Sequence, residues 1–289
     1  MSSPFLPYLV QYYPEIKREH PGEGRRRWRL RVAQQFWQQI RQGHSPPSTT
    51  VHLEATENAD FVSDGDPLDG ISTRRPELGL IVRTDFSDEG AWASFCSRLA
   101  EGESDYAAET TSEDIEDGQQ SMESTPIPAS IDIDSCDDSD DEREPPSIFY
   151  IINPSAPHER ALLENISNFT ALRLLNDVDV RPAPSPPQGT KHVRTPNKLV
   201  DLNKWQEIYV GKSIWVYDSK SNVDQCVRLV SQSGDMYGTA TGDSWRARVS
   251  HICELQVSLF TGQIKIDFGG LDRWDFTERQ RNMVEAEQV

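Results

Sequence analysis

The acidic run from Glu101 to Glu144 limits what this chain can fold into more than any other feature. It holds seventeen Asp and Glu against one basic residue, Arg143, a net −16 in a 289-residue chain whose total is −18. The remainder is therefore close to neutral. A segment so charged and so poor in large apolar side chains buries too little surface to offset its ordering entropy, so disorder is expected. It follows an amphipathic helix pattern and stops where a strand pattern begins at Ser147-Ile-Phe-Tyr-Ile-Ile-Asn153. That placement predicts a loop, residues 101–146, inserted into one domain.

About 150 residues, 78–100 plus 147–277, carry dense apolar patterning, enough for one ordinary core. No run of 18 apolar residues is present, so no membrane span is expected, and the first residues lack the features of a secretory signal. The four cysteines (Cys96, Cys136, Cys226, Cys253) form no C-x-x-C pair. They read as free thiols of a reducing compartment, the cytoplasm or the nucleus.

The N-terminal 45 residues read as an arm. Its helix, Arg25 to Gln42, repeats Trp28, Val32, Phe36 and Ile40 every four positions, with Ala33 and Trp37 widening the stripe. Arg25, Arg26, Arg27, Arg29 and Arg31 crowd its first half and oppose the macrodipole, so the helix needs its apolar face docked. That face, with Trp28, Phe36 and Trp37, could pack on the main domain or bind a partner protein, and the arginines could form a basic patch for nucleic acid. Residues 46–77, polar and turn-rich, read as a linker.

The domain proper, 78–277, opens with strand Leu78–Thr84 and a helix for which Ser87 is the expected cap. Here Val82-Arg-Thr-Asp-Phe-Ser-Asp-Glu-Gly-Ala-Trp92 resembles the opening of a small α/β domain family of unknown function, found in bacteria and fungi. The later strand Ile148–Ile152 and Ile266-Asp-Phe268 extend the resemblance. It implies one interrupted domain and brings no catalytic residue. Beyond the insert, Ser155 is the expected cap of a short helix, Thr170–Leu175 reads as a strand, and 176–198 as a Pro-rich then basic loop. Strands follow at 207–210, 213–217, 225–230 and 245–250. Leu255, Val257 and Leu259 alternate, as do Ile264, Ile266 and Phe268, around Thr261-Gly262, which predicts a hairpin. The tail, 278–289, reads as a short charged helix. The expected fold class is α+β: one domain with a largely antiparallel sheet, few helices and the acidic insert.

Signs of chemistry are sparse. Gly211-Lys-Ser213 lacks the first glycine of a phosphate loop, since Gln206 stands there, and reads as a hairpin turn. Asp218-x-Lys220-x-Asn222-x-Asp224 has calcium-loop spacing, but Val223 and Leu229 replace the required glycine and glutamate. The six histidines form no metal-ligand spacing, so neither a metal nor a cofactor is expected. His251 and Cys253 on one strand face, with Asp85, would be the suspects for a small hydrolase-like site. Arg181, Pro184 and Pro187 fit R-x-x-P-x-x-P, which SH3 domains read as a left-handed extended helix. Ile131 and Ile133 followed by acids resemble a SUMO-interacting motif, and Ser135 and Ser139 look like acidophilic kinase sites. The favoured reading is a non-enzymatic interaction or regulatory protein that binds partner proteins through its N-terminal helix and long loops. A hydrolase-like enzyme and a nucleic-acid-binding accessory protein are the alternatives.

Overall fold

The computed structural model describes residues 4–44, 59–116, 147–189, 196–268 and 275–288, with backbone alone from 109 to 116. The elements run in the order α1 (Leu6–Glu19), α2 (Arg25–Arg41), α3 (Asp60–Ser63), β1 (Gly79–Arg83), α4 (Glu89–Glu116), β2 (Phe149–Ile152), α5 (Pro157–Leu163), α6 (Asn168–Leu175), β3 (Asp177–Pro182), β4 (Trp205–Val210), β5 (Ser213–Tyr217), α7 (Ser221–Asp224), β6 (Cys226–Val230), β7 (Ser244–Arg248), α8 (Ile252–Phe260) and α9 (Phe276–Gln288). The fold is α+β. Its main sheet is mixed, in the order β2-β1-β5-β6-β7, and β3 and β4 form a separate ribbon. β1 is parallel to both β2 and β5; the other three ladders are antiparallel. Among the described residues no helix is long and apolar enough to cross a membrane.

The sheet separates two cores. Alternation along β1 and β5 sends Leu80, Val82, Ile214 and Val216 to one face and Ile81, Trp215 and Tyr217 to the other. Trp92, Phe95 and Leu99 of α4 and Ile252 and Cys253 of α8 cover the second face. The first is covered by α1, α2, α6, α9 and the β3–β4 ribbon. The N-terminal helices are thus part of the core. Trp28, Phe36 and Trp37, expected as candidates for partner contact, are buried; Phe36 meets Phe5, Tyr8 and Trp37 edge-on at 5.0–6.0 Å.

The stretch expected to be a linker supplies the counter-charges for this packing. Asp66 and Asp69 hold the buried guanidinium groups of Arg26 and Arg25 at 2.6 and 2.9 Å. Asp66 also accepts from the backbone N–H of Arg26 at 3.0 Å, placing a carboxylate at the start of α2. The unfavourable arginines at that helix end are offset there.

Several element assignments change. α1 lies in the stretch read only as part of the arm; Pro7 sits in its first turn, where a missing N–H costs nothing, while Pro14 lies inside the helix. Asp88, not Ser87, caps α4, accepting from Ala91 N–H at 2.8 Å, and α5 starts on Pro157 with no side-chain cap from Ser155. Thr170–Leu175 is helical, because Ser167 caps Thr170 and Phe169, Leu172 and Leu175 fall on one buried helical face. Asp177–Pro182, expected as loop, is a strand that buries Val178 and Val180. The hairpin at 253–268 is instead α8 and a following coil; Thr261 and Gly262 terminate the helix, with Gly262 at φ +73°. Gly211-Lys-Ser213 joins the two sheets and so is no hairpin turn. The first sixteen residues assigned to the insert, 101–116, continue α4. Residues 117–146, with Ile131, Ile133, Ser135 and Ser139, lie outside the described residues.

Candidate ligand-binding cleft

β1 is where the sheet changes direction. The chain leaves it through α4 to reach β2 on one side, and β5 later enters on the other side. The segments leaving the C-terminal ends of β1 and β5 therefore diverge, which opens a crevice at the place where α/β sheets commonly bind ligands. A cavity of about 550 Å³ lies there. Thr84 and Asp85 follow β1; Asp218 and Lys220 follow β5; Glu164 and Asn165 come from the α5–α6 turn; Asp275 and Glu278 come from the start of α9; Arg228 of β6 completes it. Asn165 N–H donates to Thr84 C=O at 2.8 Å, which seats Glu164 beside Asp85.

Most charges in the cleft are matched. Arg228, buried, lies 3.2 Å from Asp218 and 3.3 Å from Glu278. Glu278 in turn accepts from the Asn168 N–H at the start of α6. Both Asp218 oxygens accept from Arg246, and Lys220 pairs with Asp275 at 2.9 Å. Burial alone would raise the Asp218 carboxyl, but Arg246 and Arg228 outweigh it and hold it below the ordinary range. Asp275 is lowered in the same way, its burial opposed by Lys220 and the Glu278 N–H.

Asp85 differs. Its three hydrogen-bond donors, Ser87 N–H, Ser87 hydroxyl and Asn222 amide, all reach Oδ1, at 3.0, 2.6 and 2.9 Å. Against the effect of burial these donors, with the Arg83 charge nearby, keep its pKa low, so it is ionised at neutral pH with no cation bonded to its carboxylate among the described residues. Glu164, exposed beside it, likewise has no ion pair among the described residues. The lining carries five carboxylates against Lys220 and Arg228. The surplus of negative charge sits on the Asp85–Glu164 side.

Other candidates from the sequence disperse. Asp85 is in this cleft, while exposed His251 lines a separate groove beside β7. Cys253 packs under α4 against Gly102, and burial, with Glu103 nearby, pushes its thiol up to about 12. A nucleophile needs the opposite shift. Arg25, Arg26 and Arg29 are no basic patch: Arg25 also meets Asp177, and Arg29 donates to the carbonyls of Val178 and Phe61. Arg31 pairs with Glu23; Arg27 alone of the five is exposed. Arg181 is bound in cis by Asp235 and the Gly234 carbonyl, with Pro184 partly buried and Pro187 exposed beyond β3. Asp218 and Asp224 hold Arg246 as parts of the polar turn between β5 and β6. Among the described residues no group of His, Cys, Asp and Glu has metal-binding geometry.

Arg228, Asp275, Glu278 and Glu164 had no sequence signal of their own. Asp85 and Asp218 did: each follows the end of a short buried strand, V-R-T-D and V-Y-D. Compared with protein-family models, curated proteins and solved structures, the chain matches none. Function is therefore read from this geometry.

Proposed function

We propose that this is a non-enzymatic recognition protein whose cleft at the ends of β1 and β5 receives the ammonium or guanidinium of a basic segment on a partner protein. The observation that carries this is Asp85: ionised, held through one oxygen by Ser87 and Asn222, and with its carboxylate in no ion pair among the described residues, Arg83 bonding only its backbone carbonyl. The arginine-rich helix, with its apolar face and most of its charge consumed in the core, has little left for a partner, so recognition falls to the cleft and the loops around it. The lowered pKa values of Asp85, Asp218 and Asp275 suit fixed negative charges better than a general acid. Free Cys96, Cys226 and Cys253 accord with a cytoplasmic or nuclear setting.

Calorimetric titration of the intact protein with a Lys/Arg-rich peptide tests the reading. Binding should weaken about tenfold, ~1.4 kcal/mol, in Asp85→Asn, whose amide oxygen can still accept from Ser87. It should also weaken as salt rises. Equal affinity of parent and variant, or no binding at low salt, would contradict it.

A further inference from the structure

Among the described residues the two sheets have four edges, and three of them are covered. At β2, Glu103 accepts from Ile148 and Phe149 N–H at 2.9 and 3.0 Å. At β3, Arg29 donates to Val178 C=O at 2.9 Å. At β4, the Glu207 and Tyr209 N–H groups donate to the carbonyls of Lys198 and Gln232. β7 is different. Its ladder with β6 is bounded by Val249 N–H on Gln225 C=O and Ser231 N–H on Asp243 C=O, so Trp245 and Ala247 bond inward. The N–H and C=O groups of Ser244, Arg246 and Arg248 therefore point away from β6, and among the described residues they have no hydrogen-bond partner. Beside this edge runs a groove of about 500 Å³, lined by Trp245 and Ala247, by Leu255 of α8, by Ile264 and by exposed His251 and Glu254. Trp245, Leu255 and Ile264 are partly open to solvent. By alternation Arg246 and Arg248 project from the opposite face of the strand. Asp218 and Asp224 hold Arg246 there, while exposed Arg248 has no ion pair among the described residues.

We propose that β7 is a docking edge for an extended acidic segment of a partner protein, which adds to the five-stranded sheet as a further antiparallel strand. Free main-chain groups on a strand edge are satisfied by another strand, and this fixes the conformation of the occupant. Alternation then fixes its side chains. Residues opposite Arg246 and Arg248 stand on the arginine face and are carboxylates, since opposite charges across a ladder stabilise it. Residues between them turn to the α8 groove and are aliphatic, matching Trp245, Leu255 and Ile264. Glu254, the one carboxylate of that lining, disfavours acids there. A second copy of this chain fits poorly, because β7 paired with itself about a two-fold axis sets arginines against arginines. The edge takes charge of opposite sign from the cleft at β1 and β5, so the two sites select different segments.

The test is NMR titration of the intact, isotope-labelled chain with a peptide of about eight residues that alternates Asp and Val. In the free chain the Arg246 and Arg248 amides should exchange with solvent almost unprotected, and saturation with the peptide should slow them about tenfold or more. The same peptide N-methylated on the amides that face β7 should bind about tenfold more weakly, as should one with Lys in place of Asp. Arg248→Glu should reverse the preference between the Asp and Lys peptides, with an unchanged thermal midpoint to verify the fold. Protection of both amides in the free chain would overturn the proposal, because the edge would then be covered in cis or by a second copy. Affinity indifferent to N-methylation would also overturn it. So would the absence of binding at about 1 mM peptide, which would leave the arginines as a guard against strand pairing.

Discussion

Arg25 and Arg26 show how charge is handled inside this molecule. Two guanidinium groups at a helix start are buried because Asp66 and Asp69 are buried with them. Removing one partner of such a pair leaves a desolvated charge, so Asp69→Ala should cost about 3–5 kcal/mol. Denaturant midpoints should report that loss at unchanged m. Burial works against the Asp69 carboxylate, yet hydrogen bonds from Arg25 and the Asp66 N–H leave its pKa lowered. A carboxyl lowered in the folded state stabilises above its unfolded pKa, about 3.9, and loses that contribution as pH falls through the folded value. The stability gap between parent and Asp69→Asn should accordingly narrow only below about pH 4. Cys253 permits a separate check. With its thiol pushed up to about 12, iodoacetamide at pH 7.5 should alkylate it only after unfolding. Rapid labelling of Cys253 in the folded protein would revive the hydrolase-like reading. The five arginines were legible in the sequence, but Asp69 and Asp66, the partners of Arg25 and Arg26, stand some forty residues away, and no local pattern announces a pairing across that distance.

At the scale of elements, short apolar runs decide between two periodicities. Leu255, Val257 and Leu259 alternate as a strand would, yet Ile252, Cys253 and Gln256 fit a helix face, and the helix forms. Its fully buried residue is Ile252, whereas Ile266 is partly buried in the coil that follows. Ile252→Ala should cost about 2–5 kcal/mol, and Ile266→Ala clearly less, measured by the same denaturant titration. The reverse order would restore the hairpin register. The strands β1, β2, β5 and β6 were readable because continuous β-branched and aromatic runs flanked by turn residues have few other solutions. α6 was not: its six-residue window was too short to separate period 2 from 3.6, and its decisive signal, Ser167 as cap, lies just outside that window. β3 was readable in hindsight from Asp-Val-Asp-Val, obscured by the prolines that follow it.

For the whole molecule, the interruption of one domain was visible from composition, while the site was not. The cleft gathers Asp85, Glu164, Asp218 and Glu278 from segments spread over most of the chain, and their convergence follows from sheet order, which no single segment encodes. The entry point of the insert is also a structural finding. Glu103 of α4 accepts from Ser147 hydroxyl and from Ile148 and Phe149 N–H at 2.9–3.0 Å, so the helix passes beside the start of β2. Replacing residues 110–144 by about ten Gly/Ser residues spans the return and should leave unfolding cooperative, with a thermal midpoint nearly unchanged. A broad or biphasic melt would place part of the fold in the insert. α1, α2, residues 59–77 and the sheet form one cooperative unit, which is why the arginine-rich helix does not act as a free arm. Native-state hydrogen exchange tests it directly. Amides at the centre of α2 should open with the same free energy as those of β1, that of global unfolding. Exchange of α2 at a much lower free energy, while β1 stays protected, would contradict it.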